Sequence, residues 1–172
     1  GGVRAEAGDK ASAEKIFREI VTAEPKASMA WVALAGINSN DPAARIDAYR
    51  RGLAANPGNA DLGLLLGSEL EQQRRFDEAI THYEQLLKAN PKIDVAANNL
   101  AALLLDYRSD AASWARALEL AKPLEQSDNP AVLDTVGDWD QAETVAAEAR
   151  DLELAAGSPA EAAQAARVLG GL

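Results

Sequence analysis

The lone histidine, His82, is the only side chain of this 172-residue sequence whose ordinary pKa suits proton transfer near neutral pH. As a general base it would need a nucleophile beside it and a third group to orient the ring. No serine has an evident place next to it, and the sequence contains no cysteine. His82 lies between the apolar positions Ala79 and Leu86, beside Tyr83, and its helical spacing predicts an outer, solvent-facing residue. Two carboxylate pairs remain. Asp138 and Asp140 flank Trp139, and Asp77-Glu78 follow Phe76. Both pairs open helix-like stretches, where acidic residues complement the helix macrodipole. Asp-Trp-Asp lacks the ligand spacing and the glycine of a calcium loop. Gly36, Gly63, Gly67 and Gly137 form no phosphate-cradling loop. Without cysteine, disulfides and thiolate zinc sites are excluded. The sequence therefore predicts no catalytic residue, no metal and no cofactor.

The elements that carry these residues are helices, punctuated by Pro25, Pro57 and Pro91, the last two 34 residues apart. A fixed period of that size marks stacked supersecondary repeats rather than one closed globule around a reactive centre. The clearest unit spans 60–93. Leu66, Gly67 and Leu70 lie on its first helix. Its second begins near Phe76 and places Ala79, Ile80, Tyr83, Leu86 and Leu87 on one face. Asn90-Pro91 closes the unit.

The pattern Leu66-Gly67, Leu70, Ala79, Tyr83, Pro91 resembles the tetratricopeptide repeat, although Gly63 stands where that repeat usually has tryptophan. The preceding unit, 28–59, supplies Trp31, Leu34, Tyr49 and Pro57. It is about two residues short and carries Arg45 in a slot usually held by a small residue, which predicts a tightened turn between its helices. Residues 1–27, with Ala13, Phe17, Ile20 and Pro25, resemble a partial repeat whose first helix is mostly absent. The Gly-Gly start without an initiator Met reads as an excised fragment. Residues 94–128 open with Ala97, Leu100, Ala101 and Leu104. A long inter-helix loop is expected over 107–113, followed by a helix that Pro123 should kink or fray. In 129–172 the good fragments Leu133-Val136-Gly137 and Gly157-Pro159-Ala162 sit too close to their neighbours. Either the helices here are degenerate and short, or residues are missing near Gly137 and between Glu148 and Gly157.

The resemblance implies one all-α domain over 1–172, a right-handed superhelical solenoid of antiparallel helix pairs. It implies a non-catalytic scaffold or adaptor that binds a polypeptide segment along the concave side, which the first helices line. Trp31, Leu34, Leu66, Leu70, Leu100 and Leu104 form the packing stripes. The candidate partner-binding stripe is Met29, Val32 and Gly36, then Asp61, Leu64, Leu65 and Ser68, then Val95, Asn98, Asn99 and Ala102. It is more apolar than a solvated face requires, and Asn98 or Asn99 could bind a peptide backbone. Asn98-Asn99-Leu100-Ala101 and 128–137 are also similar to bacterial envelope proteins with these repeats, some associated with exopolysaccharide export. That implies a periplasmic or outer-membrane-associated setting. Two alternatives stand beside the scaffold: a substrate-recognition arm of a larger enzyme such as a glycosyltransferase, or a structural part of an export assembly.

The net charge of −10 and pI near 4.6 argue against nucleic acid and anionic lipid as partners. The longest apolar run, Val95 to Leu105, is too short to span a bilayer. With Asp61 in the stripe and no cation, an apolar or basic protein or peptide is the expected partner.

Overall fold

The computed structural model describes residues 2–108, 110–126 and 147 of the chain. Those residues form helices α1 (Gly2–Ala23), α2 (Ser28–Ile37), α3 (Pro42–Ala55), α4 (Ala60–Gln72), α5 (Phe76–Ala89), α6 (Asp94–Tyr107) and α7 (Ala111–Ala121), then a 3-10 helix, Lys122–Gln126. The described residues contain no strand. Asp138, Asp140, Gly137 and the joins expected within 129–172 lie outside the described residues.

Local chemistry sets the helix limits. Asp41 Oδ1 accepts from the Ala44 N–H at 3.0 Å, with Pro42 at the first helical position. Asn59 and Asp110 cap α4 and α7 in the same way, both at 2.9 Å. Each such cap satisfies an amide that has no partner within its own helix. Between α3 and α4 the turn Asn56-Pro57-Gly58-Asn59 closes with the Asn59 N–H donating to the Asn56 carbonyl at 3.1 Å, and Gly58 takes φ +84°. Proline followed by a positive φ is the signature of a type II turn. At the end of α4, Arg74 N–H donates to Glu71 O at 2.8 Å and Arg75 N–H to Leu70 O at 2.9 Å. That pair of bonds is a Schellman motif, with Arg74 at φ +56° in the position that glycine usually fills.

The helices group into two compact units: Gly1–His82 with Lys88–Asn90, and Tyr83–Leu87 with Pro91 onward. In the first, α2 packs on α1 and α3, and α3 packs also on α4. Short connections make these neighbours antiparallel. Trp31, Leu34, Leu66 and Leu70 are all buried, as are Ile46, Tyr49 and Leu62. In the second unit α6 packs on α7, and Leu100, Leu104, Trp114, Ala117 and Leu124 are buried. Full burial of each large aliphatic side chain contributes about 1.5–3 kcal/mol. The apolar face of α5 (Ala79, Ile80, Tyr83, Leu86, Leu87) is buried along its whole length.

Two local expectations are corrected. The turn beside Arg45 is not tightened. Residues 38–41 separate α2 from α3, against 73–75 between α4 and α5. The shortfall lies in α2, which has 10 residues where α4 has 13. Asn38 ends α2 early: its backbone N–H donates to Ala35 O at 3.0 Å and its side-chain amide to Leu34 O at 2.9 Å. Nor is there a long loop over 107–113, because α6 runs through Tyr107 and α7 begins at Ala111, capped by Asp110. Pro123 acts as expected. The α-helix stops at Ala121 and the chain continues as 3-10 helix, because proline lacks the N–H that the next α-turn needs.

Candidate functional site

In the first unit the candidate stripe rises from α2 and α4. Met29 is 75% exposed, at the start of α2. Val32 is half-buried and Gly36 exposed. On α4, Asp61 and Ser68 are exposed, whereas Leu64 and Leu65 are half-buried beside the buried Leu62 and Leu66. Four leucines fall in a five-residue stretch of one helix, and packing takes only two of them completely.

The same α2 and α4 are fastened to each other at both ends of α3. At one end, a β-carbon on Gly52 would lie 2.9 Å from Trp31 Cγ and 3.1 Å from Leu62 Cδ1. Side chains of α2 and α4 thus meet over a bare stretch of α3 backbone. Trp31 is held further by its indole N–H, which donates to the Pro25 carbonyl at 2.8 Å, and by the Arg51 guanidinium 5.2 Å from its ring centroid. At the other end, Arg45 Nε and Nη2 each donate to Glu69 at 2.7 Å, one to each carboxylate oxygen. Glu69 is 6% exposed, the one buried charge among the described residues. Gln73 donates to the same carboxylate at 3.1 Å. Arg45 Nη1 donates to the carbonyls of Ser39 and Asn38, in the turn that ends α2. The guanidinium hydrogen bond holds the Glu69 carboxyl below the usual carboxylate range, against the opposing effect of burial.

His82 departs from its expected solvent position. It is half-buried, and its Nε2 lies 2.8 Å from the Gly63 carbonyl, which fixes Nε2 as the protonated nitrogen. Burial pushes the imidazole pKa below its ordinary value; the carbonyl opposes that shift and the Arg50 charge adds to it.

In the second unit, Val95, Asn99 and Ala102 of α6 are half-buried. Asn98 is 5% exposed and does not belong to an open stripe, because the register of α6 turns it inward with Ala97 and Ala101. Its amide approaches Asn99 Oδ1 at 3.4 Å, and Asn99 Nδ2 donates to the hydroxyl of the buried Tyr83 at 3.0 Å. The second of these bonds fastens α6 to α5 inside the unit.

Among the described residues no group of three His, Asp or Glu side chains could hold a metal ion, and no helix is long and apolar enough to cross a membrane. The carboxylate pair at Asp77 and Glu78 opens α5. Glu78 there binds Arg75 and Arg50.

Residues 3–60 and 64–123 each match the tetratricopeptide repeat family model. The chain belongs to the tetratricopeptide repeat family, an all-α fold of stacked helix pairs that serves protein–protein interaction. An O-GlcNAc transferase mutant from Thermobaculum terrenum is similar, with a TM-score of 0.50 and 23% identity over 68% of this chain. The chain spans 23% of that transferase. The crystal structure of MamA protein is similar with a TM-score of 0.51 and 22% identity, over 73% of this chain and 71% of that one. At these identities the likeness is one of fold. No curated protein matches the chain.

Proposed function

We propose that the protein is a non-catalytic scaffold whose first helices capture a polypeptide segment. In the first unit the capturing side chains are Met29 and Val32 of α2 with Asp61, Leu64, Leu65 and Ser68 of α4. In the second they are Val95, Asn99 and Ala102 of α6. The observation that carries this reading is the adjacent pair Leu64-Leu65, left partly open on a helix whose packing is already supplied by Leu62, Leu66 and Leu70.

Charge refines the partner. Residues 1–92 hold 13 acidic and 12 basic side chains, whereas 93–172 hold 14 and 5. The net negative charge therefore belongs almost wholly to the second part of the sequence. Side-chain burial dominates at the α2 and α4 stripe, and attraction of a basic segment falls to the later residues. The favoured partner is an apolar peptide with lysine or arginine near its apolar anchors.

A peptide library binding assay with wild-type protein and a Leu64→Glu/Leu65→Glu variant tests this reading. Wild type should retain apolar–basic peptides, less tightly in high salt, and the variant should release them while its circular dichroism stays helical. Equal retention by the two proteins removes the stripe as the site.

A further inference from the structure

The slot at Arg45 holds a cation where a small residue would suffice for packing, and its three donor nitrogens, carried on α3, serve two other places: α4 and the turn that ends α2. Nε and Nη2 reach Glu69 on α4, each at 2.7 Å. Nη1 reaches the Ser39 and Asn38 carbonyls, where α2 has ended. The stem of the side chain rises from α3, whose far end carries the dry contact of Gly52 with Trp31 and Leu62. The dry contact joins α2 to α4 at one point, near one end of α3, and their mutual register takes a second point at the other end. Arg45 supplies it. A guanidinium suits this task because its planar donors can serve a carboxylate and a carbonyl at once, which an ammonium on one stem does not.

We propose that Arg45 is a positioning residue for the candidate binding surface: by bridging Glu69 of α4 to the carbonyls that end α2, it sets the register in which the two helices present their open side chains. As a statement about binding, this rests on the scaffold reading above. As a statement about helix register, it stands on the bridge alone. A buried ion pair exchanged for apolar residues of similar volume often leaves a protein equally stable. Arg45→Met/Glu69→Leu therefore removes the bridge without leaving a buried charge, and Arg45→Lys keeps the charge but loses the fork.

The test needs no partner. The sequence contains no cysteine, so spin labels at Gly36→Cys and Ser68→Cys report on α2 and α4 alone. Both sites are exposed, and a β-carbon at Gly36 meets nothing within 4 Å. In the double variant the label–label distance distribution should broaden, and amide exchange at Asn38 to Asp41 should rise by roughly tenfold or more, with little change in the urea midpoint. Arg45→Lys should show the same signature in smaller measure, and it remains informative if the double variant does not fold. Unchanged distances and exchange in a folded variant overturn the proposal. Peptide retention measured on the corresponding proteins without the labels or cysteines keeps the two readings apart. Loss of register with no peptide bound even by wild type defeats the scaffold reading alone, whereas intact register with normal retention defeats the positioning role alone.

Discussion

Gly52 and Trp31 are so close that the α-carbon of one leaves no room for a side chain against the indole of the other: a β-carbon would lie 2.9 Å from Trp31 Cγ and 3.0 Å from its Cβ. A glycine inside a helix ordinarily costs about 0.5–1 kcal/mol relative to alanine. Here the sign reverses. Gly52→Ala should destabilise the protein by about 1–3 kcal/mol, because the indole root, close to the α2 backbone, cannot withdraw cheaply. Urea unfolding followed by circular dichroism checks this, and a stabilised variant would show that the contact relaxes freely.

Arg74 offers the opposite case. It sits at φ +56° in a Schellman motif whose two closing bonds are backbone-only, so the side chain is not needed to form it. Left-handed backbone costs a non-glycine residue about 1–2 kcal/mol, partly offset by the greater freedom of glycine in the unfolded chain. Arg74→Gly should raise stability by up to about 1 kcal/mol. The guanidinium 5.9 Å from the Phe76 ring centroid is lost in the exchange, and at an exposed site it is worth less than the strain it accompanies. A higher thermal midpoint in calorimetry is the expected result.

Acid should weaken the fold in two stages. Burial holds His82 below its ordinary pKa of 6.5, so the unfolded chain takes up that proton first. Its contribution is complete above 6.5 and is lost as pH falls through the lower folded-state value. Glu69 is likewise held below 4.5 by Arg45, and its contribution disappears at lower pH still. His82→Gln keeps a side-chain donor for the Gly63 carbonyl but cannot titrate. Unfolding midpoints measured across pH should lose the upper step in that variant and keep the lower one; an upper step that persists would assign it elsewhere.

The caps give a fourth expectation. Asp41→Ala and Asp110→Ala each remove a side-chain bond to an orphan amide, at Ala44 and Ser113. Each should cost about 1 kcal/mol, and the two should add, because they serve helices in different units.

Apolar periodicity and proline placement made the helices legible. Leu66, Leu70, Leu100 and Leu104 were readable as packing positions through the resemblance to the repeat, and all are buried. Pairings between distant residues were not. Arg45 and Glu69 are 24 residues apart, and no period connects them, so Arg45 could be read only as a misfit in its slot. The same holds for His82. It precedes Tyr83 as Ala48 precedes Tyr49, while Gly63 stands in the slot that Trp31 fills one unit earlier. Helical spacing on α5 alone points His82 outward because it carries no trace of the Gly63 carbonyl that meets the ring from α4. For α6 the apolar spacing identified Leu100 but left Asn98 and Asn99 alike; burial of Asn98 and the bond of Asn99 to the Tyr83 hydroxyl separate them. The short α2 was visible as a missing pair of residues. Where they were missing from depended on Asn38, which competes with the helix for its own carbonyls.

The two attachments along α3 respond to different solvent conditions. The indole–glycine–leucine contact is held by exclusion of water and weakens as temperature falls. The guanidinium–carboxylate contact is desolvated more cheaply as temperature rises and yields instead to protons. Chilling and acidification should therefore unfasten opposite ends of the same helix, giving two distinct partly opened forms of one protein.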